Sequence, residues 1–238
     1  MIVKDRSTIN LITMHSLAQM NHKSQREMVT FLETVPLYQY ALEDVIEKLE
    51  ELDSEFRLLC GHNPIHHTQS RIKTHDSIIK KALKRVQPIT LSTLQEAITD
   101  VAGLRVICRY TSDLYLLGGT LLSHPDIKLF RQSDYIQSPK PNGYRSLHLI
   151  VGVPHPESQS GEIIPVEIQL RTIAMDMWAS LEHEIRYKSD KSVLEAEADE
   201  LYRCAEALSL IDERMEAMYM RNHRPTLIEM TKKDQDLA

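Results

Sequence analysis

Apolar positions along the chain change period twice, and the changes divide it into three zones. Up to about residue 60, Met28, Phe31, Leu32 and Val35 fall at helical spacing before Pro36, and Leu42, Val45, Ile46, Leu49, Leu52 and Phe56 form a stripe after it, which predicts helices. Their other face holds seven carboxylates and one lysine between Glu43 and Glu55, the pattern of a solvated surface. From about 61 to 190 the patterns mix. Leu104–Tyr110 and Ile127–Phe130 read as strands, and Leu147–Val153 and Ile164–Leu170 do so more clearly, through β-branched residues and alternating polarity. Thr111–Ser123 reads as a helix between the first two. Ile173–Lys188 reads as another, with Ile173, Met177, Leu181 and Ile185 recurring every four residues and Trp178 beside them. From Ser192 to Met220, Leu194, Leu201, Leu208 and Met215 are seven apart, and Cys204, Ile211 and Met218 follow the last three of them. That heptad-like seam needs a partner, either its own domain or another subunit. The tail after Arg224 is polar and expected to fray. The expected organisation is a helical region over 1–60, a core of strands and helices over 61–190, and a helix with a polar tail over 191–238. The fold class is α/β or α+β.

Composition narrows the function. The chain has 238 residues, 42% apolar and 26% charged, and no apolar run approaches the ~20 residues that span a bilayer, so a soluble protein is expected. With 28 Lys and Arg against 34 Asp and Glu, the net charge of −6 argues against broad adhesion to DNA. Any phosphate site must be concentrated. Seven glycines, with no G-x-G-x-x-G and no G-x-x-x-x-G-K-[ST], exclude the Rossmann fingerprint and the P-loop. Cys60, Cys108 and Cys204 are odd in number and widely spaced, which suits a reducing cytoplasm rather than a disulfide framework or a thiolate zinc site. The opening stretch MIVKDRSTINLITMHSLAQM lacks a small-residue cleavage site and does not read as a signal peptide.

Three segments could carry chemistry. Between Arg71 and Arg85 stand six cations (Arg71, Lys73, Lys80, Lys81, Lys84 and Arg85) against Asp76. On a helix starting near Asp76 or Ser77, with Ser77 helping to satisfy the first amides, Lys80, Lys81 and Lys84 fall on neighbouring turns. Such an array holds a polyphosphate, or is a solvated basic helix. Arg71 adds a planar guanidinium able to stack on a base or grip phosphate bidentately. Second, Asp100 precedes an apolar strand and Glu167 interrupts IIPVEIQLR, where alternation sets Glu167, Gln169 and Arg171 opposite Val166, Ile168 and Leu170. A solvent-facing polar row accounts for this equally well. On adjacent strands, Asp100 and Glu167 could instead share a Mg²⁺ beside substrate phosphates. Third, PKPNGYRSLH brings Lys140, Asn142, Tyr144 and His148 around a turn and the start of a strand, where Tyr144 offers a stacking platform. His62, His66 and His67 lack the spacing of a zinc motif and read as loop residues; His183-Glu184 likewise lacks a second histidine.

Taken in order, SRIKTHDSIIKK, DVAGLRVIC, PKPNGYRSLH, VEIQLRT and MDMWASLEHEIRYK resemble the synthetase domain of RelA/SpoT homologues, specifically the small alarmone synthetases, over about Asn63 to Lys188. The resemblance implies a mixed sheet flanked by helices, similar to nucleotidyltransferases. It further implies transfer of the β,γ-diphosphate of ATP to the 3′-hydroxyl of GTP or GDP, giving pppGpp or ppGpp and AMP. Arg71 would then clamp adenine, and Lys73, Ser77, Lys81 and Arg105 would engage ATP phosphates. Asp100 and Glu167 would hold Mg²⁺, with Glu167 helping to deprotonate the acceptor. Tyr144 would stack on guanine, while Lys140, Asn142, His148 and Gln169 shape its site and Arg171 supports it. Many relatives carry a basic residue where Ser133 precedes Asp134; Arg131 is expected to replace that charge. Relatives commonly form homotetramers, and the heptad-like spacing is compatible with an oligomer. Alternatives are the same donor chemistry on an adenine nucleotide or a tRNA 3′ end, or a non-catalytic alarmone or RNA binder, so an RNA partner is left open.

Overall fold

A computed structural model describes residues 17, 20–155, 162–188 and 191–235. The order is α1 (His22–Glu33), α2 (Val35–Cys60), β1 (Ile65–Ile72), α3 (His75–Arg85), α4 (Leu91–Ala97), β2 (Ala102–Cys108), α5 (Thr111–Ser123), β3 (Lys128–Asp134), β4 (Leu147–Pro154), β5 (Ile163–Thr172), α6 (Ile173–Lys188) and α7 (Lys191–Gln235). The strands form one mixed sheet in the order β1-β2-β5-β4-β3. β2 and β5 are its parallel pair; β1, β4 and β3 join antiparallel.

Period-2 alternation gives the sheet two unlike faces. Leu104 and Val106 of β2, Leu147, Leu149 and Val151 of β4, and Val166, Ile168 and Leu170 of β5 turn to one side and are buried with Leu42, Val45 and Leu49 of α2 and Leu114 and Leu117 of α5. Side chains this size contribute roughly 1.5–3 kcal/mol each when fully buried, so this face anchors the register. A one-residue slip would turn every polar side chain of the other face into the core. The opposite face is left for polar groups, with α6 lying against the ends of β2 and β5.

The mixed sheet and the helical flanks agree with the reading of the sequence, with several differences in detail. β1 has no apolar alternation because it is an exposed edge strand, so His66 and His67 lie on a strand rather than in a loop. The strand expected over Leu104–Tyr110 starts two residues earlier, and the one expected over Ile127–Phe130 continues to Asp134. α3 begins at His75 and is capped by Thr74, whose Oγ1 accepts from Ser77 N at 3.4 Å; Ser77 receives the cap rather than supplying it. The four-residue stripe of α6 faces outward: Ile173, Met177, Leu181 and Ile185 are 38–52% exposed, while Met175 and Trp178 are buried. The seam of α7 divides. Ala205 is buried and Leu201 and Leu208 half-buried, whereas Ile211, Met215 and Met218 are exposed. α7 also continues to Gln235, beyond the expected fraying point at Arg224. The side chain of Leu194, those from residue 223 onward and, apart from Leu17 and Met20, the opening stretch read for a signal peptide lie outside the described residues.

Candidate functional site

Strand register gathers six of the predicted residues, Arg71, Arg105, Arg131, His148, Glu167 and Gln169, into two adjacent rows on the polar face. Gln69, Arg105, Gln169, His148 and Ser133 pair in succession across all five strands. The next row is Arg71, Gly103, Glu167, Ile150 and Arg131. Directly paired residues point to the same side, and rows two residues apart lie on the order of 7 Å from each other. Residues from distant parts of the chain thereby share one surface. Arg131 stands one row from Ser133, and its charge is among those that lower the His148 pKa.

The β1–β2 side is cationic and half-exposed. Lys73 N donates to Val101 O at 2.8 Å, which brings the end of β1 beside the segment leading into β2. There Asp100 Oδ2 meets Lys73 Nζ at 2.6 Å and Oδ1 meets Lys81 Nζ at 2.7 Å. Burial alone would raise the Asp100 pKa; the hydrogen bonds and charges of the two lysines outweigh it and hold the carboxyl below the usual carboxylate range. Arg71 crosses Gly103, where a Cβ would meet its Cγ and Nε at an ordinary contact distance of 3.5 Å. Ser77 sits in the first turn of α3, on the same helix as Lys81.

The β4–β5 side is a connected network. Arg171, 5% exposed, donates from Nη2 to Tyr144 OH at 2.8 Å and to Gln169 Oε1 at 2.9 Å, and from Nη1 to Asp176 Oδ1 at 3.0 Å. Gln169 Nε2 donates to Glu167 Oε2 at 3.2 Å. Tyr144 OH lies 2.8 Å from His148 Nε2. Since that hydroxyl accepts from Arg171, it can donate to Nε2, leaving Nδ1–H facing Glu167 Oε1 at 4.0 Å. Burial, then Arg171, Lys140 and Arg131, push the His148 pKa down to about 4. The ring is therefore neutral near pH 7, and its contact with Glu167 is a dipole contact rather than an ion pair. Lys140 Nζ lies 4.5 Å from the Tyr135 ring centre and 4.6 Å from that of Tyr144.

The turn bearing Lys140 and Asn142 is clamped from outside the sheet. Gly143 N donates to Lys140 O at 2.8 Å, and Gly143 has φ +87°, a left-handed conformation that favours glycine. A Cβ there would lie 2.6 Å from Ala205 Cβ of α7. Asn142 Nδ2 donates to Glu182 Oε1 of α6 at 3.1 Å, and Arg145 Nη2 meets Glu206 of α7 at 2.6 Å.

Asp100, in the segment leading into β2, thus lies three residues before Gly103, the register partner of Glu167 on the neighbouring parallel strand β5. Each is held by its own side, Asp100 by lysines and Glu167 by Gln169 and His148. Among the described residues no three His, Cys, Asp or Glu side chains converge as a preformed metal cage. Sequence reasoning missed Gln69, Tyr135 and Asp176. Asp176 had one available signal, its place in the first turn after a strand ending Gln-Leu-Arg-Thr. Gln69 had none, because edge strand β1 is polar at every position between Ile65 and Ile72.

Comparison with known proteins adds to this geometry. Residues 70–192 match the model of a region found in RelA / SpoT proteins. The chain is 45% identical over 179 residues to GTP pyrophosphokinase YwaC of Bacillus subtilis, covering 75% of this chain and 85% of that protein. Its fold matches small alarmone synthetase 2 of Bacillus subtilis with a TM-score of 0.68 and 40% identity, over 79% of this chain and 97% of that one. It also matches small alarmone synthetase 1 of the same organism, solved with its product pppGpp, with a TM-score of 0.68 and 33% identity over 81% and 97% of the two chains.

Proposed function

The chain belongs to the RelA/SpoT family, and from that premise we infer that it is a GTP pyrophosphokinase of the small alarmone synthetase type, making pppGpp or ppGpp from ATP and GTP or GDP. The observation that carries this reading is the pair of rows in which Arg71 and Arg105 on one side meet Glu167, Gln169 and His148 on the other. Transfer between two nucleotides requires two anionic substrates in line, and cations, stacking surfaces and one well-placed base suffice for it.

In this reading Arg71 clamps adenine. Lys73 and Lys81 exchange Asp100 for ATP phosphates, assisted by Ser77 and Arg105. Guanine stacks on Tyr144, which displaces Lys140 from the ring and frees its ammonium for the acceptor phosphates, while Asn142, His148, Gln169 and Arg131 frame the acceptor. The 3′-oxygen attacks the β-phosphorus of ATP, the bond from that phosphorus to the α,β-bridging oxygen breaks, AMP leaves, and Glu167 takes the hydroxyl proton. Glu167 is suited to this because its oxygens are aimed by Gln169 Nε2 at 3.2 Å and faced by a neutral His148.

Asp100 and Glu167 would also hold Mg²⁺. The donor set fits, since Mg²⁺ binds through one or two carboxylates with the remaining oxygens from substrate phosphates and water, and Asp100 is firmly ionised. The ion supplies charge neutralisation on the diphosphate being moved. We further propose a homotetramer. The outward stripe Ile173, Met177, Leu181 and Ile185 supplies an apolar face for assembly. Sedimentation as a 27.5 kDa monomer would remove the assembly while leaving the chemistry.

The deciding experiment incubates the chain with labelled ATP, Mg²⁺ and, separately, GTP, GDP, adenine nucleotides and tRNA, followed by product chromatography. Release of AMP with a labelled guanosine product is expected. Binding without AMP release, or label only on an adenine nucleotide or tRNA, would overturn the assignment.

A further inference from the structure

Asp176, in the first turn of α6, has a role that neither the family resemblance nor the comparisons assign. Its Oδ1 is shared by two arginines from different strands, 3.0 Å from Arg171 Nη1 and 3.3 Å from Arg105 Nη1. Beyond Arg105, the same Nη1 donates to Gln69 Oε1 at 3.0 Å on β1. Beyond Arg171 lie Tyr144, Gln169, His148 and Glu167. One carboxylate oxygen therefore joins a line of polar contacts from the edge strand to the proposed base. It also neutralises two guanidiniums that repel each other: burial and then the Arg171 charge lower the Arg105 pKa, and Asp176 opposes them.

Two further observations distinguish the arginines from the rest of the network. The buried Nε atoms of Arg105 and Arg171 find no acceptor among the described residues. Arg105 is also the more exposed arginine, with a side chain 33% exposed against 6% for Arg171, so it is the one free to turn toward an incoming anion.

We propose that Asp176 is a positioning residue that couples the two nucleotide sites, releasing Arg105 to the donor's phosphates and then binding Arg171 alone. Arg171, no longer sharing its acceptor, is held more firmly and fixes Tyr144 and Gln169 where the acceptor base and the proposed base act. Donor binding therefore tightens acceptor binding, and by linkage acceptor binding tightens the donor equally. This rests on the assignment of the two sites given above.

The test is calorimetric titration of GTP into the full chain with Mg²⁺, with and without saturating α,β-methylene ATP, which cannot transfer its diphosphate. In the wild type the analogue should tighten GTP by about tenfold, within the common range for coupled sites. Asp176→Asn keeps the shape and one acceptor oxygen but loses the charge. It should bring the coupling to within about twofold of none while each nucleotide alone still binds, and Asp176→Glu should restore part of it. A purely structural role would lower both affinities and leave their interdependence intact, which would overturn the proposal. Should Asp176→Asn fail to fold, the wild type still decides: a chain that makes alarmone yet binds the two nucleotides independently rules out coupling and leaves the assigned reaction standing. A chain that makes none removes that assignment and the coupling with it.

Discussion

The two sides of the polar face are organised differently. Around Asp100 the contacts are ion pairs from two long lysine side chains, 15% and 18% exposed, whose mobile point charges an arriving polyphosphate would take over. Around Arg171 the contacts are hydrogen bonds that converge on one buried guanidinium, braced by α6 and, through the Lys140–Arg145 turn, by α7. The first side stores charge and the second stores geometry. A flexible triphosphate is captured by movable cations, whereas a base and a ribose hydroxyl must be placed to within a few tenths of an ångström for in-line attack.

The largest effect should come from the acids where the two sides meet. Asp100→Asn and Glu167→Gln should each lower turnover at least about 100-fold with the fold intact by circular dichroism. Full activity in either folded variant would take that residue out of the mechanism. Next is the brace. Gly143→Ala puts a side chain on a left-handed backbone and against Ala205, which should cost about 1–3 kcal/mol in urea denaturation and raise the KM for GTP about tenfold without moving that for ATP. Equal changes for both nucleotides would mean that the turn does not belong to the acceptor side.

Acid separates the two sides by window. The folded His148 pKa, about 4, lies below its ordinary 6.5, so the unfolded chain takes up this proton first as pH falls. Its stabilising contribution is complete above about pH 6.5 and lost progressively toward pH 4, on the order of 3 kcal/mol in all. Asp100 is depressed below 3.8, so its contribution persists through that window and is lost only as pH falls further. Urea midpoints at several pH values should therefore fall between pH 6.5 and 4, and His148→Gln should flatten that slope. The smallest effect is expected for Arg131→Ala, about a threefold rise in the KM for GTP or GDP, since a single exposed charge is well screened. Unchanged kinetics would show that nothing replaces the charge missing at Ser133.

Legibility followed burial. β4 and β5 were readable because Leu149, Val151, Val166 and Ile168 must alternate to fill a core, and that same alternation aligned Glu167, Gln169 and Arg171 on one face. β1 was not readable, because an edge strand facing solvent has no periodic demand on its residues. The stripes of α6 and α7 were visible as apolar periodicity, yet periodicity does not say which apolar face meets the chain's own core, and Trp178 and Ala205 took that place. Asp176 was overlooked because its partners Arg105 and Arg171 are brought together only by strand pairing.

The sequence by itself determined which side chains could handle phosphate, base and proton, because those are properties of residue types, and it determined most of the sheet, because core burial writes a period into the chain. Only the tertiary structure decided who faces whom. The parallel pairing of β2 with β5 set Gly103 beside Glu167, Lys73 and Lys81 closed on Asp100, and Arg105 and Arg171 came to share one oxygen of Asp176. These contacts join residues from separate strands and helices, and short-range patterning carries no record of a distance set by strand register.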